Sequence, residues 1–445
     1  MQLMTRRLTI ATLLGALSTT ASAAGFQLLE QSASGLGNAF AGTAATAENA
    51  STVQYNPAGL TELQGRQISV GVSYIDLSAK FENNGSVNPG GAGPAAFFTR
   101  NLPGGSSQGG DAKAVPNMYI SLPITKELTF GLGTNAVYGM RTDWNTGWTG
   151  QYQALTTDVK TININPSLAY KVNEKFSLGF GLDYQKLDAL LTQAINGGNN
   201  AACGGACPDG FFQVSGDSFK WGYNLGLLFK PSDTTKIGVA YRSAIKHKLS
   251  GNYSVAGLSP VSVAVYNSLG KLTSTSGSAS VDLKLPDVFT VSVAQQLNDR
   301  WEMLGDISRT GWSSIPQLNI MDANSGKSVG LNDYQWRNTW RVSLGANYLV
   351  NEQWKAKFGI AFDQGLTDDS HRTPRLPDSN RVWLAAGGQY KVSKESTIDF
   401  GYAYIAAKSA SSNLGAGASQ AANGVLNGEY KSHVQIAGVQ YSMQF

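Results

Sequence analysis

The chain has 445 residues, of which only 14% are charged, and it carries 51 glycines, two cysteines and 10% aromatic residues. Its formal charge of +4 includes Arg6 and Arg7 near the N-terminus; 34 basic residues less these two leave 32, against 30 acidic ones. That balance lacks the basic surplus a nucleic-acid partner calls for, and few charges with many Gly, Tyr and Trp suit strands better than helices.

Residues 1–23 read as a secretory signal: Arg6-Arg7 as the positive region, Leu8 to Leu17 as a short apolar core, and Ala21-Ser22-Ala23 as the small-residue cleavage site. The mature chain is expected to begin at Ala24. Nowhere else is there an uninterrupted apolar stretch of about 18 residues, which excludes a bundle of membrane-spanning helices.

Residues 24–65 show no sustained alternation and are rich in Gly, Ala, Ser, Thr and Asn, yet they keep Phe26, Leu28, Leu29, Leu36, Phe40 and Leu60 to bury. A compact plug inside a barrel accounts for those apolar residues; a disordered periplasmic leader is the alternative.

From about residue 66 onward, apolar and polar residues alternate in fourteen runs: 67–80, 116–124, 127–137, 158–171, 175–185, 217–229, 235–249, 281–296, 301–311, 334–349, 353–364, 380–391, 396–406 and 431–445. Period two sends successive side chains to opposite faces of a sheet. In 336–348 one face reads Trp336, Asn338, Trp340, Val342, Leu344, Ala346 and Tyr348, and the other Arg337, Thr339, Arg341, Ser343, Gly345 and Asn347. An Arg facing lipid at mid-membrane costs roughly 2–4 kcal/mol, so the apolar face is expected to point outward to lipid and the polar face inward. Short polar turns, such as Asn298-Asp299-Arg300, alternate with long Gly/Ser/Asn-rich connections at 81–115, 138–157, 186–216, 250–280, 312–333, 365–379 and 407–430. This is the asymmetry of an outer-membrane barrel, and an even strand count returns both ends of the barrel to one side. The fold class is therefore all-β: a 14-stranded antiparallel transmembrane β-barrel (66–445) with an N-terminal luminal hatch (24–65), placed in the Gram-negative outer membrane and surrounded by its lipid. Val439, Tyr441, Met443 and the terminal Phe445 share one face of the last run, as in the assembly signal of such proteins.

Cys203 and Cys207 lie in NNAACGGACPDG, where a local disulfide is expected in an oxidising periplasm. No metal site is expected, because no further Cys or His lies near them.

An ordered series of motifs resembles the FadL family of outer-membrane channels for long-chain fatty acids and other hydrophobic compounds. It starts at AGFQLLEQSASGLGNAFAG and Asn56-Pro57-Ala58, continues through GWTGQY (147–152), TININPSLAYKV (161–172), LPD (285–287) and RTPRLPDSNRVWLAAG (372–387), and ends at the terminal aromatic. The resemblance implies a fourteen-stranded barrel with a hatch that includes Phe26, Leu28 and Asn56-Pro57-Ala58. It further implies transport without hydrolysed ATP or a cofactor, a monomer, and a first external groove made by the third and fourth loops. Consistently, Gly270-Lys271 is followed by Leu272, so no phosphate cradle is formed.

A fatty acid gains about 0.8 kcal/mol per buried methylene, so sixteen carbons supply on the order of ten kcal/mol; its carboxylate needs a cation or several donors once desolvated. Residues 187–195 and 255–269 are unusually apolar for external loops, which makes Leu187, Leu190, Leu191, Val263, Val265 and Tyr266 candidates for the groove, with loop-on-loop packing as the alternative. Arg337, Arg341, Lys355 and Arg381 fall on polar faces and are the head-group candidates; the alternative for each is salt bridging across the lumen or to Glu30 and Glu48 of the hatch. The resemblance also implies lateral exit beside a kink in the third strand, whose run LTFGLGTNAVYG carries Gly131 and Gly133 as candidate sites of a gap. The long-chain fatty acid is the leading substrate, and an aromatic hydrocarbon or other apolar nutrient the runner-up. A general aqueous porin would need neither the plug nor apolar loops. A hydrolase would need a partnered His, and His247, His371 and His433 are expected at loop or rim positions without a partner motif.

Overall fold

A computed structural model describes residues 25–90, 93–272, 274–415 and 422–445. Among these, fourteen antiparallel strands close into a barrel. They begin with β1 (Gln67–Asn83), β2 (Ala112–Pro123), β3 (Leu128–Asn135, resumed at Gly139–Asp143), β4 (Thr156–Lys171), β5 (Phe176–Ile195), β6 (Gly210–Ser232) and β7 (Thr235–Arg242, resumed at Ile245–Ala256). There follow β8 (Ser276–Leu285 and Val288–Gln296), β9 (Trp301–Thr310), β10 (Thr339–Leu349), β11 (Trp354–Asp363), β12 (Arg381–Lys391), β13 (Ser396–Ala407) and β14 (Leu426–Gln444). The ring closes where β14 pairs with β1, from Gln67 opposite Gln444 to Asn83 opposite Gly428. A hairpin of Gln317–Asp322 and Ser328–Asp333 stands beyond β9 and β10 at the end that carries the long connections.

The inversion of faces is plain in β10. Trp340, Val342 and Leu344 are 45%, 43% and 56% exposed, while Thr339, Arg341 and Ser343 between them are buried. Phe358, Ile360 and Leu384 on β11 and β12 point outward in the same way. Near the short turns the outer surface carries aromatic pairs, Phe176 stacked on Phe229 (4.5 Å) and the tilted pairs Trp301–Tyr348 (4.6 Å) and Trp354–Tyr390 (4.6 Å). Tyr184 and Trp221 pair nearer the other rim (4.6 Å). Apolar side chains between two aromatic girdles are what a lipid-facing wall requires.

The hatch fills the inside. Its one-turn helices α1 (Ala33–Leu36), α2 (Thr43–Thr46) and α3 (Thr52–Tyr55) lead into a 3-10 turn at Pro57–Glu62. Inward-facing glycines of the wall make room for it. A Cβ at Gly226 would strike Asn56 Oδ1, one at Gly179 would strike Ala58 N, and one at Gly238 would strike the Ala44 carbonyl. The abundance of Gly in these strands thus has a packing cause: backbone of the plug approaches backbone of the wall. Asn56 caps the 3-10 turn by accepting from Ala58 N (3.1 Å), and its Nδ2 donates to the carbonyls of Ala44 (2.6 Å) and Leu227 (3.0 Å). Pro57 opens the turn at a position where a missing N–H costs nothing. Lower down, Lys357 Nζ donates to Glu48 Oε2 (2.6 Å), Asp399 Oδ1 (3.2 Å) and the Ser34 carbonyl (2.9 Å), which ties hatch to wall.

The strands reach further outward than the alternation indicates. Residues 187–195 are not a loop: β5 runs to Ile195, with Leu191 opposite Thr157 of β4 and Ile195 opposite Gly210 of β6. Leu187 and Leu191 face an apolar interior there, so the polar inner face that marks a strand is lost while the hydrogen-bond ladder continues. For the same reason His247 is not at a rim: it lies buried on the inner face of β7 with Nε2 3.1 Å from Gln185 Oε1. Residues 260–268 form α4 (Pro260–Ser268), with Ser259 Oγ accepting from Ser262 N.

Candidate substrate passage

Three spaces follow one another through the barrel. The first is a vestibule of about 530 Å3 under the external loops, lined by Ile195, Phe212, Tyr253, Tyr266, Ile320 and Arg375 among others. The second is a narrow, almost wholly apolar neck between Leu191, Leu249, Leu283, Ile320 and Trp336, with Phe26 of the hatch among its lining residues. The third is a luminal cavity of about 830 Å3, within the range of sites that enclose whole small molecules. Ile320 lines both vestibule and neck, and Phe26, Met140 and Val159 line both neck and lumen. Phe26 sits among Tyr138, Trp312 and Trp336 with ring centroids 5.8, 5.0 and 6.2 Å away, so the hatch N-terminus stands between neck and lumen.

The luminal cavity reaches the wall at a break in the sheet. β2 pairs with β1 along Ala112 to Ser121, but with β3 only from Met118 to Pro123. β3 stops at Asn135 and resumes at Gly139, and the resumed part pairs with β4 alone. Residues 112–117 therefore have no partner on the β3 side. Here the cavity lining includes Val70, Met118 and Ile162, which are 47%, 39% and 54% exposed on the outer surface. The inner side of the break is stitched by the hatch. Leu28 N donates to the Val137 carbonyl (2.9 Å) and Gly139 N to the Phe26 carbonyl (2.9 Å). Gln31 Nε2 donates to the Ala136 carbonyl (2.5 Å), and Gln31 Oε1 accepts from Ala136 N (3.2 Å).

The family described as "Outer membrane protein transport protein (OMPP1/FadL/TodX)" matches residues 14–445. The chain belongs to that family. A long-chain fatty acid transport protein of Shigella flexneri is 30% identical over 429 residues, covering 90% of this chain and 91% of that one. A Pseudomonas aeruginosa FadL homologue superposes with a TM-score of 0.84 at 26% identity, covering 95% of this chain and all of the other. The toluene transporter TbuX of Ralstonia pickettii shares the fold, with a TM-score of 0.64 at 17% identity over 94% of this chain and 100% of its own. This member is thus an outer-membrane transport barrel with a hatch, and the family is one of transporters of hydrophobic compounds.

In this FadL-family barrel the basic residues singled out from alternation are dispersed and occupied. Arg341 is buried beside the lumen, with Nε 3.3 Å from Asp363 Oδ1, Nη2 on the Ala39 carbonyl and its guanidinium over Trp383. Arg381 also lines the lumen and is held by Asp378 Oδ1 (2.9 Å). Lys355 lies at the hatch floor on Glu48 Oε1 (3.0 Å) and lines none of the three spaces. Arg337 does not face the lumen at all: it is exposed and donates to the Gly365 carbonyl, whereas Trp336 is buried inside. The ladder is interrupted at 334–338, where Gln335 adopts a left-handed φ of 47°, and the phase of the alternation slips.

Of the apolar candidates, Leu191 lines the neck, Leu187 packs in the same inner cluster as Phe26, and Leu190 falls on the opposite side of β5. Tyr266 lines the vestibule and donates to the Asn196 carbonyl (2.9 Å); Val263 packs beside it, while Val265 is half-buried on α4 and borders none of the three spaces. Cys203 and Cys207 are joined in a disulfide in the loop between β5 and β6. Gly131 and Gly133 are in the fully paired part of β3, where a Cβ would meet Val53 and Leu60 or Tyr119. The break lies further along, at 136–138. Sequence reading passed over Tyr138, Gln31 and Arg375, though Pro116 was a signal: a residue with no N–H to offer stands in the part of β2 that pairs on one side only.

Proposed function

We propose that this chain takes up long-chain fatty acids passively, from the vestibule through the neck to the lumen and then sideways between β2 and β3 into the membrane. The observation that carries the reading is the luminal cavity whose lining runs from hatch residues Phe26–Glu30 to the lipid-facing Val70 of β1, Met118 of β2 and Ile162 of β4, which flank the unpaired stretch 112–117. A porin would need an aqueous path along the axis, and the hatch fills it.

The energetics favour a moving seam over a departing plug. Four hydrogen bonds stitch residues 26–31 to 136–139. At a net 0.5–1.5 kcal/mol each they hold the seam by about 2–6 kcal/mol. Burying a sixteen-carbon chain supplies on the order of ten kcal/mol, enough to displace that strip. Lower in the hatch, Glu48, Lys357 and Asp399 form a buried charge cluster whose breakage costs about 3–5 kcal/mol in addition to the packing on the wall glycines. The floor accordingly stays in place while Gly25–Gln31 yields.

Ala136 lines the cavity at the break, so Ala136→Trp fills the exit without touching the vestibule. Uptake of labelled oleate by cells lacking their own channel of this kind is expected to fall at least tenfold in this variant. Unchanged oleate uptake by a correctly inserted A136W barrel contradicts lateral release, and toluene uptake faster than oleate uptake by the unaltered protein contradicts the fatty-acid assignment.

A further inference from the structure

Among the described residues, five buried or largely buried cations of the interior each have a carboxylate. Arg341 faces Asp363, Arg381 faces Asp378, Arg372 faces Asp369, Arg242 faces Asp183, and Lys357 faces Glu48 and Asp399. Arg375, in the connection between β11 and β12, is only 2% exposed, and among the described residues no carboxylate pairs with it. Its guanidinium has only neutral acceptors: Gln193 Oε1 on Nη2 (2.7 Å), and the more distant Thr157 Oγ1 (3.3 Å) and Thr192 carbonyl (3.4 Å) on Nη1. Its Nε–H has none. Arg375 lines the vestibule, and Thr157, which it touches, lines the neck. A desolvated, unmatched guanidinium is costly, and a planar fork with a free N–H is the donor set that fits a carboxylate. Burial pushes its pKa below the ordinary arginine value, but a guanidinium keeps its charge throughout the physiological range.

We propose that Arg375 is the head-group site of the passage: it receives the anionic end of a single-chain amphiphile at the top of the neck while the chain lies in the apolar space below. Neutral hydrogen bonds to Gln193 and Thr157 would serve a purely structural tether as well from an uncharged side chain, so the charge itself asks for an anion. The proposal deepens the fatty-acid reading above and rests on it for the identity of the ligand, since a carboxylate and a sulfate share this chemistry.

The test uses the full-length barrel, wild type, Arg375→Gln and Arg375→Lys. Binding of oleate and of oleyl alcohol, equal in chain and different in charge, is measured on purified protein held in amphipol, and uptake of both is measured in cells. Arg375→Gln is expected to weaken oleate binding about ten- to a hundredfold, the span of a hydrogen bond to a charged group. It should leave oleyl alcohol binding unchanged, with Arg375→Lys recovering part of the loss. Equal losses for both ligands, no loss for either, or no preference of the wild type for oleate over oleyl alcohol overturns the assignment. Oleate that binds through Arg375 but never enters cells refutes the uptake reading and leaves this site standing. Oleate uptake and binding that are indifferent to Arg375→Gln refute the site and leave the uptake reading standing.

Discussion

Gln31→Ala isolates the seam between hatch and wall. Gln31 is buried, and its side chain makes two of the four bonds that stitch the hatch to the interrupted part of β3, donating to the Ala136 carbonyl and accepting from Ala136 N. Removing it deletes two bonds worth about 1–3 kcal/mol together and leaves the bonds of Leu28 N and Gly139 N in place. That shift multiplies the open population of the seam by roughly 5–150-fold. Amide exchange of the folded barrel reads it directly: Leu28, Ala136 and Gly139 should exchange faster by that factor. The backbone amides of Asn56, on the Thr52 carbonyl, of Ala58, on Asn56 Oδ1, and of Gly59, on the Asn56 carbonyl, should keep their protection. Uptake of oleate at limiting concentration should rise if opening of the seam limits the rate. Unaltered exchange at Ala136 and Gly139, or acceleration spread evenly over the whole hatch, would refute the idea of a moving strip on a fixed floor.

Glu48→Gln leaves Lys357, almost fully buried, with Asp399 as its one carboxylate, and should cost about 3 kcal/mol, read as a lower unfolding midpoint and as leakage of small hydrophilic solutes past the hatch. Gly226→Val places a side chain where Asn56 Oδ1 sits and is expected to unseat the Pro57–Glu62 turn, giving the same leakage without loss of the barrel signal in circular dichroism. Asp322 accepts from Tyr253 Oη (2.7 Å) and from Asn324 N and Ser325 N, bonds that hold its pKa down to about 2. A depressed carboxylate stabilises above its unfolded value of 3.8 and loses that contribution as pH falls through about 2. The external hairpin 317–333 should therefore keep its amide protection down to pH 4 and lose it between pH 4 and 2; protection that is flat through that interval contradicts the bonding at Asp322.

What the sequence made legible follows from a simple physical rule. Within the bilayer the two faces of a strand meet different solvents, so Thr339, Arg341 and Ser343 alternate with Trp340, Val342 and Leu344, and the strand count and short turns can be read off. Above the bilayer the rule lapses. At the outer end of β5, Leu187 and Leu191 face an apolar interior, both faces read alike, and a continuing strand looks like a greasy loop. The slip at Gln335 carries no Gly or Asn to announce a left-handed residue, so alternation alone places Arg337 on the inner face while the fold leaves it outside. The head-group candidates on the strands were found as cations, but whether a cation is free depends on partners from distant segments: Asp363 for Arg341, Glu48 for Lys355. Arg375 emerges only when those partners are counted in space. Gly131 and Gly133 serve close approach of the hatch, whereas the interruption of β3 at 136–138 is held by bonds to the hatch that no local pattern shows.

The most direct measurement is photolabelling of the intact barrel by a long-chain fatty acid carrying a diazirine near its tail, with the modified residues located by mass spectrometry. Sideways passage puts label on Phe26, Met140 and Val159 and then on Met118 and Ile162 at the outer face of the break. Label that instead runs down the axis to Thr61 and Ser177 at the hatch floor, with none on Met118 or Ile162, would contradict it.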